Sequence, residues 1–236
     1  MIVCAQRHVA AKGSGRVQPV FGDEGPASDP RDGRRDARPH RQLGSFPRHL
    51  SRLRGPIVRN QYSMRELTLP RWGTPSPVFA LKDRNSDPRR HQCPQPQIPH
   101  WRRWLGVERR CVAPFSSFSE KEALPDGAKP PQWFALDETR PLALFAGIWT
   151  RGTSVRKVKE GETTNDVFAF LATVPNNVVG SLHPRAWPAI LTTREEIDRW
   201  MTTPLDEAVR LQRPLADDAL RIVARGEKKD EGGLTT

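Results

Sequence analysis

The pattern of apolar and polar positions divides the chain at Gly55-Pro56. Residues 1–54 are rich in Arg, Gly and Pro, and after Ala11 no apolar run is longer than the pair Val20-Phe21. Such a composition buries too little apolar surface to offset the entropy lost on folding. We therefore expect residues 1–54 to be a basic segment that is not natively folded. Residues 55–226 are expected to form the folded domain, followed by a disordered charged tail over 227–236.

Within residues 55–226 the apolar runs predict strands more often than helices. Residues 142–149 form a nearly continuous apolar run, typical of a strand buried on both faces. Residues 152–164 are polar and are expected to form a solvated loop. Thr192-Thr193, followed by Glu195-Glu196, offers a capping box for a helix that continues to Met201. The other predicted strands cover residues 66–73, 77–82, 110–118, 132–137, 167–174 and 220–224, and short helices cover 101–105 and 204–211.

This order of elements predicts an α+β fold in which strands dominate, arranged as a distorted barrel flanked by short helices. The chain has 236 residues, which is enough for one large domain or two small ones. No apolar run approaches the roughly 20 residues that a membrane-spanning helix needs. No membrane partner is therefore expected.

Charge and cysteine content narrow the function classes. The formal net charge is +11, but residues 1–54 contain ten Arg and one Lys against five acids, so about half of the surplus lies in the segment least suited to fold. The rest gives modest support to a polyanionic partner. Cys4, Cys93 and Cys111 do not suggest a disulfide framework, which favours a reducing compartment and a cytoplasmic protein.

Two residues are candidates for acid–base chemistry. Glu120 follows the apolar segment 115–119, where a carboxylate is partly desolvated as a general acid or base requires. The alternative is a surface Glu in a charged turn. His183 follows an apolar strand and precedes Pro184, which fixes the backbone beside the ring. The alternative for His183 is an ordinary loop histidine without a partner.

Other residues suit nucleic-acid binding or packing. Arg71-Trp72 pairs a guanidinium with a large aromatic surface, a combination that binds a phosphate and stacks on a base. The same pair also fits a buried ring beside a solvated charge. For the cluster at residues 101–104 we favour packing, and we expect Cys111 to be an inert buried thiol. No metal-ligand spacing and no glycine-rich phosphate loop is present, so we expect no metal or cofactor.

In order and spacing, four segments resemble the SOS response-associated peptidase (SRAP) family of abasic-site processing proteins. The resemblance covers residues 56–226. The matching segments are Arg71-Trp72-Gly73, the run from Arg110 to Glu120, the run from Leu144 to Trp149, and the run from His183 to Leu191.

The resemblance implies a definite chemistry. Proteins of this family bind single-stranded DNA that contains an abasic site, and an N-terminal cysteine crosslinks to the sugar aldehyde through a thiazolidine. The same cysteine removes the residue before it, which is the peptidase activity. By this resemblance Glu120 and His183 handle protons, and Arg71, Trp72 and Arg185 line the DNA groove. It also implies a monomer without a cofactor, in the bacterial cytoplasm and associated with the nucleoid when bound to DNA.

The chain departs from the family pattern in two places. The family begins Met-Cys, whereas here Cys4 follows three residues and its nitrogen lies in a peptide bond. The family's Asn-x-Arg motif is replaced by Gln92-Cys93-Pro94. We therefore expect covalent crosslinking to be impaired in this chain.

A shifted reading frame accounts for both departures. Moved forward by one base, the codons of residues 89–98 can encode Gly-Val-Thr-Asn-Val-Arg-Asn-Leu-Lys-Ser, which restores the missing motif. The same shift gives family-like sequence for residues 12–16 and 46–55. Sequencing the coding DNA tests this hypothesis, which fails if no codon choice in the gene yields these peptides.

Two alternatives from other classes remain open at this point. One is a single-stranded DNA-binding module that uses Arg and Trp without any chemistry. The other is a non-functional frameshifted product without a stable fold. Crosslinking to an abasic site separates the first from the family interpretation, and a cooperative thermal transition argues against the second.

Overall fold

The computed structural model of the protein describes residues 3–5, 54–62, 64–82, 84–87, 92–93, 99–180, 187–227 and 230. Its strands, in chain order, are β1 (Val3–Ala5), β2 (Ile57–Gln61), β3 (Met64–Thr68), β4 (Arg71–Trp72), β5 (Gln92–Cys93), β6 (Arg110–Phe115), β7 (Ser117–Lys121), β8 (Pro131–Ala135), β9 (Ala143–Val155), β10 (Glu162–Thr173), β11 (Trp187–Pro188), β12 (Ile190–Leu191) and β13 (Arg221–Arg225). The α-helices are α1 (Pro99–Arg102), α2 (Asn177–Gly180), α3 (Arg194–Thr202) and α4 (Leu205–Ala208). Short 3-10 helices cover Val78–Leu81, Val107–Arg109, Val158–Glu160, Val209–Leu211 and Asp217–Ala219.

The described strands form two sheets. The larger has nine strands along the antiparallel path β11-β10-β9-β6-β2-β3, with β12 paired to β9 and with β4 and β5 joined to β10 in parallel. The smaller is antiparallel and runs β1-β7-β8-β13. The prediction of a strand-dominated α+β fold is confirmed. The prediction of a barrel is wrong for the described strands, because β3 and β11 end the large sheet without pairing to each other.

Apolar clusters cover the two faces of the large sheet, because successive residues of a strand point to opposite sides. On β9, Phe145 and Trp149 belong to an aromatic cluster that also contains Phe118 and Phe134 of the small sheet. The intervening Ile148 belongs to the second cluster. That cluster is covered by helical residues, which include Trp101, Trp200, Met201, Ala208 and Leu211. The large sheet is thus the middle layer, between the small sheet and the helices.

Strands β9 and β10 form a hairpin that extends beyond the core. The expected solvated loop over 152–164 is wrong for most of its length, because Thr153 and Thr164 lie opposite each other with their hydroxyl oxygens 2.7 Å apart. Both strands are partly exposed there, so the sequence lacks the apolar signal of a buried strand. Only the tip turns, through the 3-10 helix Val158–Glu160 and Gly161 at φ 65°.

Local signals predicted the start of helix α3 correctly and the element over residues 77–82 wrongly. Helix α3 begins after Thr193, whose hydroxyl accepts a hydrogen bond from the backbone N–H of Glu196 at 3.2 Å. The Glu196 carboxylate in turn accepts from the N–H of Thr192 at 2.9 Å. The predicted helix start is confirmed. The strand predicted over 77–82 is instead the 3-10 helix Val78–Leu81, since an apolar run of four residues carries no period.

Gly147 allows β6, β9 and β10 to pack closely. A Cβ at this position would lie 2.9 Å from the carbonyl oxygen of Ala169 and 3.1 Å from Sγ of Cys111. We expect Gly147→Ala to lower the free energy of unfolding by about 2–3 kcal/mol, because a backbone carbonyl in a central strand cannot move aside cheaply. Chemical denaturation measures this change. The control is Gly180→Ala, whose Cβ meets only Pro175 at 3.5 Å, and an equal loss in both variants would contradict the explanation.

No helix among the described residues is both long enough and apolar enough to cross a membrane.

Candidate functional site

Glu120 lies in the small sheet and is buried. It is 6% exposed and stands opposite Gln132, which is 3% exposed, on the neighbouring strand β8. Nε2 of Gln132 donates to the Glu122 carboxylate at 2.6 Å. Glu120 is therefore not a surface residue in a charged turn. Its carboxylate is held inside the fold beside a buried amide.

Strand β1 places Cys4 next to the strand of Glu120. The backbone of β1 pairs antiparallel with β7, so that Val3 is opposite Ser119 and Cys4 is opposite Phe118. Cys4 is thus paired with Phe118, which lies two positions before Glu120 on the same strand. This strand lies within the segment 1–54 that the sequence predicts to be unfolded. Residues 6–53 lie outside the described residues, and the prediction stays untested there.

His183 and Arg185 lie outside the described residues. The next described residue on their C-terminal side is Trp187, which belongs to β11 of the large sheet and is 3% exposed. The Trp187 ring packs edge-on against Phe118, with centroids 5.4 Å apart, and against Phe134, with centroids 5.1 Å apart. The segment that contains His183 is therefore followed directly by a residue that packs on the strand of Glu120.

Arg71-Trp72-Gly73, the Arg71 turn of the sequence prediction, consists of strand β4 and the glycine that ends it. Gly73 has φ 103°, a left-handed conformation that favours glycine, and its N–H donates to the carbonyl of Phe168 at 2.7 Å. Trp72 is 7% exposed, and its ring centroid lies 5.2 Å from that of Phe170. Trp72 is therefore a core residue, and stacking on a DNA base would require the ring to leave this position. The Arg71 side chain remains 24% exposed.

Two residues at the tip of the β9–β10 hairpin contact the Arg71 turn. Arg156, which is 4% exposed, donates to the carbonyl oxygen of Trp72 at 3.2 Å and to that of Gly73 at 2.5 Å. Glu160 lies 3.5 Å from the Arg71 guanidinium. Sequence reasoning missed both residues, because it assigned them to a solvated loop. The available signal was the presence of β-branched residues on both sides of Gly161, at Thr153, Val155, Thr163 and Thr164.

Aromatic contacts connect the motif segments that lie far apart in the sequence. From Trp72 the ring contacts continue through Phe170 to Phe145, with centroids 4.8 Å apart, and from Phe145 to Phe118, with centroids 5.3 Å apart. Phe118 lies two residues from Glu120. The turn, the Arg-Cys strand, the Phe-Ala-Gly-Ile-Trp strand and the strand of Glu120 thus share one core.

The remaining predictions concern packing residues and metals. Cys111 is fully buried, which confirms the prediction of a buried thiol, and burial raises the pKa of that thiol. Trp101 is 3% exposed, and Cζ of Arg103 lies 4.2 Å from the centroid of the Trp104 ring. These contacts confirm the prediction of packing at residues 101–104. Within the described part of the chain, no group of three or more His, Cys, Asp or Glu side chains could hold a metal ion.

Comparison with known proteins supports the fold and leaves the function open. No family model and no curated protein matches the chain. Among solved structures, a protein from Bacteroides thetaiotaomicron matches with a TM-score of 0.52 and 19% identity, over 71% of this chain and 72% of that one. A phage-related protein from Bordetella bronchiseptica matches with a TM-score of 0.50 and 22% identity, over 72% of this chain and 76% of that one. At these identities the likeness shows a shared fold alone.

Proposed function

We propose that this chain is an abasic-site processing protein of the SRAP type, which binds single-stranded DNA and crosslinks to abasic sites only when the α-amine of Cys4 is free. The observation that carries the proposal is the pairing of β1 with β7, which brings Cys4 beside the strand of the buried Glu120. A cysteine and a desolvated carboxylate on paired strands suit a reaction in which a nucleophile and a proton carrier act together. The order of the four motif segments supports the same assignment.

The proposed reaction has two steps, and both need a free α-amine at Cys4. In the first, this amine attacks the aldehyde carbon of the ring-opened sugar and water leaves, giving a Schiff base. In the second, Sγ attacks the imine carbon while the thiol proton passes to the nitrogen, which closes the thiazolidine. Glu120 is proposed to carry protons in the first step, and His183 to protonate the sugar oxygen. Arg71 and Arg185 are proposed to contact DNA phosphates, with Trp72 supporting the turn of Arg71 from within the core.

Because the nitrogen of Cys4 lies in the Val3-Cys4 peptide bond, removal of Met1, Ile2 and Val3 decides whether the chain reacts. We expect the full chain to give no heat-stable adduct with an abasic single-stranded oligonucleotide. A variant that begins at Cys4 after Met removal is expected to give one. Denaturing electrophoresis of the labelled oligonucleotide measures the adduct.

Two further variants of the trimmed chain test the residue roles. Cys4→Ala should abolish the adduct, and Glu120→Gln should slow its formation by roughly 10²- to 10⁴-fold, the range typical of general acid–base catalysis. A trimmed chain that binds single-stranded DNA without forming an adduct would contradict the crosslinking chemistry and favour the purely binding alternative. An adduct from the intact full chain would contradict the requirement for a free amine at Cys4.

A further inference from the structure

The hairpin tip places one carboxylate between two cations. Glu160 lies 3.5 Å from a guanidinium nitrogen of Arg71 and 4.0 Å from the ammonium nitrogen of Lys157. All three side chains are partly exposed, between 24% and 35%. Ion pairs of this exposure contribute only about 0–1 kcal/mol to stability, so stabilising the fold does not account for the arrangement.

The arrangement is nevertheless fixed by buried contacts. Arg156 on the same hairpin binds the carbonyl oxygens of Trp72 and Gly73, so the tip and the turn of Arg71 are held together. The ring of Trp72 packs in the core next to Arg71. The positions of Arg71 and Glu160 are therefore set by the backbone, and the side-chain ends remain accessible to solvent.

We propose that Arg71 and Lys157 form a binding site for a backbone phosphate of single-stranded DNA, and that the Glu160 carboxylate occupies this site when DNA is absent. A phosphate carries its charge on oxygens that accept hydrogen bonds as the carboxylate does, so it can replace Glu160 between the same two cations. The carboxylate then competes with every phosphate that approaches Arg71. Glu160 thereby lowers the affinity for undamaged single strands.

This inference rests on the proposed function only in taking single-stranded DNA as the partner. It is tested without abasic chemistry, by fluorescence anisotropy with an undamaged single-stranded oligonucleotide at several salt concentrations. Glu160→Gln is expected to tighten binding by roughly three- to ten-fold at ~0.1 M salt, because one competing charge is removed near the phosphate. Glu162→Gln is the matched control, since it makes the same charge change two residues away at an exposed position.

The salt dependence separates a freed phosphate site from a general change in charge. In the unmodified chain Glu160 offsets one of the two positive charges presented to the phosphate, so Glu160→Gln should steepen the slope of log K against log salt by about 0.7 for a single strand. Glu162→Gln should keep the slope of the unmodified chain. In the double variant Arg71→Gln with Glu160→Gln the gain should disappear, because the cation that receives the phosphate is gone.

Three outcomes overturn the inference. Equal affinities in Glu160→Gln and Glu162→Gln would show that no site has been freed, while leaving the proposed function standing. A gain that persists in the double variant would show that Arg71 does not receive the phosphate. If neither the unmodified chain nor any variant binds single-stranded DNA, both the inference and the proposed function fail.

Discussion

Replacing Arg110 by Ala is expected to lower the free energy of unfolding by about 3–5 kcal/mol, because three backbone carbonyls lose a charged hydrogen-bond donor and a cavity opens. Arg110 is 1% exposed. Its guanidinium donates to the carbonyl oxygens of Leu105 at 2.9 Å, Trp200 at 2.9 Å and Thr203 at 2.6 Å. Two of these carbonyls lie at the C-terminal end of α3, where a cation is favoured. Removing the side chain leaves the buried carbonyls of Leu105 and Trp200 and the partly buried carbonyl of Thr203 without this donor, and it opens a cavity.

The loss at Arg110 can be measured by urea denaturation of the full chain. Arg102→Ala is the matched control, because that side chain is exposed and should change the free energy of unfolding by no more than about 0.5 kcal/mol. Arg110→Lys should recover only part of the loss, since an ammonium cannot reproduce the planar fork of donors. If Arg110→Ala and Arg102→Ala unfold at the same denaturant concentration, Arg110 does not anchor α3.

Replacing Asp230 by Ala is expected to cost about 3 kcal/mol or more, because it breaks a buried ion pair. The Asp230 side chain is 1% exposed and binds Arg140 in a bidentate pair, with Nε–Oδ2 at 2.6 Å and Nη2–Oδ1 at 2.8 Å. The Arg140 side chain is 7% exposed, so losing the carboxylate leaves a buried positive charge without its counter-ion. The pair also connects Asp230 to the small sheet, because Nη2 of Arg140 donates to the carbonyl of Val223 on β13 at 3.3 Å. In the same region Trp133 Nε1 donates to the carbonyl of Glu227 at 2.8 Å.

Thermal and urea denaturation measure the loss at Asp230, and Asp218→Ala at an exposed position is the control. The double variant Arg140→Met with Asp230→Ala should be less destabilised than the sum of the single changes, because the two residues act as a pair. Strict additivity would contradict the pairing. A small loss in Asp230→Ala alone would mean that the C-terminal segment does not contribute to the stability of the small sheet.

Some residues of the candidate site could be predicted from the sequence, and others could not. The sequence singled out Glu120 and the Arg71 turn, because an acidic residue at the end of an apolar strand and an Arg-Trp-Gly turn are local signals. It left two interpretations of Trp72 open. In the structure the Trp72 ring packs against Phe170 as part of the core. It could not find Arg156 or Glu160. Their roles depend on where the hairpin tip lies relative to a turn more than 80 residues earlier.

The sequence by itself determined the elements whose signals are local: the buried strands β6, β9 and β10, and the cap of α3 at Thr193. These follow from composition, period and capping, each of which acts over a few residues. Only the tertiary structure decided that the strands form two open sheets, that β1 lies beside the strand of Glu120, and that Arg110 and Arg140 bind partners 90 residues away. Such contacts depend on sheet register and on which buried charges meet, and no short segment of sequence encodes either.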